Sequence, residues 1–160
     1  MLKKLVYTML LAAVLAGCGA QETFETVADD LVFSQAEPKQ IQVALPEETV
    51  LPVMETDFGQ LYICRDFEVS VQTLPGGDLE ATVRTLCGFD GVDALETAAD
   101  GITRYEFVWS SAGETGDQVG RAVILSDGTY HYCVTAMAPE EKAGDYHEIW
   151  NGMFETVTIG

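Results

Sequence analysis

Val119-Gly120-Arg121-Ala122-Val123-Ile124-Leu125-Ser126-Asp127-Gly128-Thr129-Tyr130-His131-Tyr132-Cys133-Val134-Thr135-Ala136-Met137 is the stretch that decides the fold. Two runs rich in β-branched and aromatic residues flank Ser126-Asp127-Gly128. Asp-Gly between such runs suits a tight turn, because both residues tolerate the backbone angles it needs. The spacing predicts an antiparallel hairpin, Val119 to Leu125 with Thr129 to Met137.

Upstream, Ile102 to Ser110 reads as a further strand, with Tyr105, Phe107 and Trp109 on one face and Glu106, Val108 and Ser110 on the other. Ser111 to Gly120, glycine-rich and acidic, is expected to be a loop, and Phe89 to Gly101 a connection. Before these, Asp78 is placed to cap a helix whose apolar residues Leu79, Val83 and Leu86 share one face and which Gly88 ends. Leu61 to Cys64 and Phe67 to Leu74 read as strands bent at Arg65-Asp66, and Ile41 to Leu45 as a half-buried strand stopped by Pro46.

Downstream of the hairpin, Pro139 fits the start of a helix, and Glu140 and Glu141 complement its positive end. Tyr146, Ile149, Trp150, Met153 and Phe154 form an apolar stripe at spacings of three and four, weakened by Gly144. Thr156 to Ile159 is short and β-prone. The order implies an α+β fold with a mainly antiparallel sheet of about five to six strands covered by helices. In that element order the chain from Ile41 to Ile159 resembles the α/β/α sandwich of the PsbP-like group.

The N-terminal end carries a different message. Lys3 and Lys4 precede an apolar run from Leu5 to Leu15, and Leu15-Ala16-Gly17-Cys18 closes it. The run has the length of a signal segment and is shorter than the roughly 20 residues a membrane-spanning helix needs. These residues resemble the lipobox of bacterial lipoproteins, which implies a diacylglycerol on Cys18, removal of residues 1–17 and a cell-membrane location facing the extracytoplasmic side. An ordinary secretory signal with an incidental cysteine is the competing reading. Residues 18–40 are then expected as an acidic lipidated tether, within which Phe24, Val27, Ala28 and Leu31 fall at helical spacing, and residues 41–160 as one globular domain.

The 160 residues hold 8 Lys and Arg against 26 Asp and Glu, a formal charge of −18. Loss of Lys3 and Lys4 with the signal leaves 6 basic side chains and a charge of −20. Such a surface repels nucleic acid, so no nucleic-acid partner is expected. With Cys18 committed to lipid, Cys64, Cys87 and Cys133 are an odd set that allows at most one disulfide, in any of its pairings.

His131 and Cys133, two apart on a strand, share a face, which opens a His-activated thiolate or half of a soft-metal site, with His147 as a third group from the last helix. A packed strand with two half-buried polar side chains accounts for the same residues. Asp117, Glu114 and Asp127 sit near glycine-rich turns and could offer oxygens to calcium, although the twelve-residue spacing of a calcium loop is absent. Tyr62, Tyr105, Phe107, Trp109, Tyr130 and Tyr132 would line a sugar- or peptide-binding face or fill the core of a small sheet. No phosphate-cradling glycine motif, serine-nucleophile signature or metal-ligand box occurs, and no cofactor is expected.

The runs Gly113-Glu114-Thr115-Gly116-Asp117 and Asp127-Gly128-Thr129-Tyr130-His131-Tyr132-Cys133 are similar to those of small uncharacterised lipoproteins of anaerobic bacteria, a group that implies no activity. The expected function is a lipid-anchored, non-catalytic domain that binds a protein or small molecule or assists an envelope complex. The alternative is a thiol- or metal-dependent module centred on His131 and Cys133, with Asp117 and Asp127 nearby.

Overall fold

The computed structural model describes residues 36–46, 51–113 and 116–160. The lipobox with Cys18, most of the expected tether and Glu114 lie outside these residues.

The expected hairpin is the centre of the molecule. Strands β7 (Gly116–Ser126) and β8 (Tyr130–Pro139) pair antiparallel, with Ile124 opposite Cys133 and Val123 opposite Val134. Among the described residues the other elements are β1 (Ile41–Gln42), β2 (Met54–Thr56), β3 (Gly59–Cys64), β4 (Phe67–Pro75), α1 (Leu79–Cys87), β5 (Leu95–Ala99), β6 (Ile102–Gly113), α2 (Glu140–Glu155) and β9 (Thr158–Ile159). Seven strands form one antiparallel sheet in the order β2-β3-β4-β8-β7-β6-β5, and β1 pairs with β9 in a separate two-stranded ladder. The α+β class and the antiparallel sheet are as expected.

The helices cover opposite faces. Asp78 caps α1 as its residue type predicts, its Oδ1 accepting from the Glu80 and Ala81 backbone N–H groups at 3.0 and 3.3 Å. Gly88, at φ 79°, closes the helix with its N–H donating to the Arg84 carbonyl. Leu79, Val83 and Leu86 then pack on Phe107, Trp109, Ala122, Ile124 and Cys133. On the other face α2 lays Tyr146, Trp150, Met153 and Phe154 against the sheet. The Phe67 ring meets those of Tyr146 at 4.7 Å and Trp150 at 6.0 Å.

Beneath the end of α2 lies an ion network. Glu106 accepts from Arg104 Nε at 2.7 Å and from Arg121 Nη2 at 3.0 Å. Arg104 also donates to the Phe154 carbonyl, and Arg121 to Asn151. Burial alone would raise the Glu106 pKa, but the two guanidinium partners hold it below the ordinary carboxylate value.

Five expectations change. Residues 95–99, assigned to a connection, form edge strand β5, every residue of it exposed. A wholly exposed edge strand has no buried face to impose alternation on its sequence. Much of 111–120, expected as a loop, continues β6 and opens β7, where Ser111 and Ala112 pair with Gln118 and Asp117. The sheet thus has seven strands rather than five or six. Ile41 to Leu45 keeps strand geometry only at Ile41 and Gln42, because its partner β9 is two residues long. Beyond the ladder the Thr156 hydroxyl accepts from the Ala44 N–H at 2.8 Å. Ile149, placed in the apolar stripe, is 39% exposed.

Residues 36–42 run across the face that carries α2. The Tyr130 hydroxyl donates to the Ala36 carbonyl at 2.6 Å, and the Lys39 N–H donates to the Tyr132 hydroxyl at 3.1 Å. Gln40 and Gly160 exchange two backbone hydrogen bonds. This strap and the β2–β3 hairpin leave a cleft between them.

Candidate functional site

His131 and Cys133 do share a face, the one beneath α1, and both are buried. Their surroundings oppose reactivity. His131 Nδ1 lies 2.7 Å from the Thr82 hydroxyl, itself buried on α1. The Cys133 thiol donates toward the His131 backbone carbonyl at 3.7 Å. Burial pushes the Cys133 thiol far above its ordinary pKa, the reverse of what a thiolate nucleophile requires. The pair therefore fastens α1 to the sheet.

The other candidate groups are dispersed. His147 is on α2, across the sheet, where its Nδ1 and the Asn151 amide lie 3.3 Å apart. Asp117 is exposed near the start of β7, whereas Asp127 lies beyond its end. Ten residues of strand separate these two acids by roughly 30 Å. Asp127 is engaged by its own turn: Oδ1 accepts from the Thr129 and Tyr130 N–H groups at 2.9 Å each, and Oδ2 from the Tyr132 hydroxyl at 3.0 Å. Lys39 Nζ stands 3.6 Å from Oδ2. Burial alone would raise the Asp127 pKa, but these donors hold it below the usual value. Among the described residues no three His, Cys, Asp or Glu side chains come together as a metal site.

Cys64 and Cys133 lie on opposite faces of the sheet, and Cys87 and Cys133 are both thiols. Of the six aromatics, Phe107, Trp109, Tyr130 and Tyr132 are buried, and Tyr105 packs against the α1 cluster. Tyr62, half-buried, donates through its hydroxyl to Gln60, which faces an open surface.

That surface is the cleft, with a volume of 440 Å³, walled by the strap at 38–41, by residues 55–60 of the β2–β3 hairpin and by 71–73 of β4. Gln60 Nε2 donates to Glu55 Oε1 at 2.8 Å, and the Tyr62 hydroxyl donates to Gln60 Oε1 at 2.7 Å. Burial, then the Glu55 carboxylate, raises the Tyr62 pKa. The hairpin is held in place by the Thr73 N–H donating to the Phe58 carbonyl at 2.8 Å. A Cβ at Gly59 would lie 2.8 Å from that of Gln72, so the close approach there requires glycine. Leu61 to Cys64 of β3 was expected as a strand, but its partner β2 and the turn between them were not. The signal for that turn was present in Thr56-Asp57-Phe58-Gly59, a turn sequence between β-prone residues.

The buried imidazole gives a pH prediction. Desolvation holds the His131 pKa below its ordinary value of 6.5, and the nearby Asp127 and Asp78 charges only partly offset it. The fold thus favours the neutral ring. Its contribution to stability is full above the unfolded pKa and falls as pH drops from about 6.5 toward the folded value. The lowered carboxylates Asp127 and Glu106 act further down, below 3.8 and 4.5. Melting temperature should therefore fall as pH drops below about 6.5, ahead of the carboxylates, and His131→Leu should flatten that slope. An unchanged slope in the variant would assign the acid sensitivity elsewhere.

No protein-family description and no curated protein matches the sequence. Solved structures do share the fold. A protein from Bacteroides thetaiotaomicron superposes with TM-score 0.51 at 8% identity over 75% of this chain, which spans 45% of the length of that protein. LpqN, involved in cell envelope biogenesis of Mycobacterium tuberculosis, gives TM-score 0.50 at 14% identity, with 88% of this chain and 99% of LpqN covered. Cyanobacterial PsbP (CyanoP) from Synechocystis gives 0.47 at 10% identity, with 81% and 98% covered.

Proposed function

We propose that this protein is a lipid-anchored, non-catalytic binding domain of the cell envelope. The observation that carries the reading is the fate of His131 and Cys133: the groups best suited to catalysis are buried and spent on holding α1 to the sheet. What the domain offers to solvent is a fixed polar cleft. The involvement of LpqN in envelope biogenesis supports an accessory role in the same compartment.

The anchor is Cys18. No helix among the described residues is long and apolar enough to cross a membrane. Two acyl chains on Cys18, at about 0.8 kcal/mol for each buried methylene, hold the protein stably to the extracytoplasmic face of the cell membrane. In a lipoprotein-processing bacterium, the full chain is expected to take up labelled palmitate and to sediment with membranes. Cys18→Ser should remain unlabelled and keep its signal. Label retained by the Cys18→Ser chain would sink the anchor reading.

A further inference from the structure

We propose that the cleft between the strap and the β2–β3 hairpin is a binding site for a small organic cation carrying an ammonium or guanidinium group. The proposal deepens the reading of the protein as a binding domain and rests on it.

The size is suitable: 440 Å³ falls in the range of small-molecule sites, roughly 300–1,000 Å³. The site is also built rather than incidental. Both strap and hairpin are fastened to the sheet, the strap through Tyr130 and Tyr132 and the hairpin through the Thr73 to Phe58 backbone bond. Rotamer order is fixed in advance as well, because Gln60 is bonded at both ends, to Tyr62 and to Glu55. Groups ordered before binding need not be ordered by the ligand.

The chemistry of the lining selects the ligand class. A carboxylate offers about four acceptor sites, and Glu55 uses one of them on Gln60. Asp57 adds a second carboxylate, and the cation on the opposite wall, Lys39, stands beside Asp127 at 3.6 Å. The cleft is thus rich in acceptors and carries an excess of negative charge. Phe58, 52% exposed, lines the same cleft and offers an aromatic surface of the kind that attracts organic cations. An anionic ligand would meet Glu55 and Asp57 as like charges, and a purely apolar one would take these two carboxylates out of water without a countercharge.

The test is calorimetric titration of the full chain with agmatine, which carries both cationic groups, at about physiological ionic strength, where surface charge is screened beyond ~8 Å. A saturable one-site isotherm is expected, with 1,4-butanediol giving none. Glu55→Gln should weaken agmatine binding about tenfold or more. Glu96→Gln, which removes an exposed acid from β5, should leave it unchanged. Absence of saturation, equal binding of the neutral diol, or equal losses in both variants would overturn the proposal. Melting curves of each variant establish that the fold persists. Membrane attachment through Cys18 is read separately by palmitate labelling, so failure of the cleft and failure of the anchor are distinguishable.

Discussion

Phe154→Ala is expected to lower the stability of the domain by about 3–5 kcal/mol, the loss typical of a large aromatic removed from a filled interior. Phe154 is 1% exposed in the last turn of α2. Its ring does more than fill space. The Arg121 guanidinium lies 4.9 Å from the ring centroid while also donating to Glu106, so the ring is the lid of the ion network. Removing it leaves a void and takes away the aromatic face over which the Arg121 guanidinium lies. For a domain of this size the melting temperature should drop by roughly 10–20 °C. Phe154→Leu, which keeps most of the volume, should cost distinctly less. A loss under ~1 kcal/mol in Phe154→Ala, as for a surface substitution, would show that α2 is not fastened at this end.

What the sequence made legible follows from where each residue's surroundings are local. Asp78 and Gly88 could be assigned as helix ends because a cap is satisfied by backbone groups within a few residues. The Asp127-Gly128 turn was equally local, with its carboxylate held by Thr129 and Tyr130. By contrast, β5 gained its strand geometry from hydrogen bonds to β6, which its own composition does not announce. The same holds at 111–120, where pairing overrode a glycine-rich composition. Alternation did place His131 and Cys133 on one face. Whether that face was open or covered depended on α1, about fifty positions earlier, and it was covered by Thr82. The cleft was illegible for the related reason that its two walls, residues 38–41 and 55–60, are brought together by separate attachments to the sheet.

Gly120→Ala makes the largest demand on the opposite face. Gly120 sits on β7 directly opposite Trp109 of β6, and a methyl group built on it would fall inside the Trp109 indole. Its backbone angles are ordinary, so conformational entropy alone predicts that alanine stabilises by about 0.4–1 kcal/mol. Steric overlap predicts the reverse sign, a loss of about 1–3 kcal/mol for an overpacked site. The indole cannot simply swing aside, because Trp109 is 9% exposed within the α1 cluster and its ring centroid lies 5.7 Å from that of Phe107. Steric overlap should therefore win, and Gly120→Ala should be destabilising. The cause is separable by a double-mutant cycle with Trp109→Leu. In that background the methyl group has room, so the Gly120→Ala cost should shrink or reverse, giving a coupling of about 1 kcal/mol or more. Equal costs in both backgrounds would mean that the glycine is required for another reason. The coupling, if found, also explains a composition that reads locally as a loop: the glycine is the space in the sheet into which the tryptophan of the neighbouring strand lies flat.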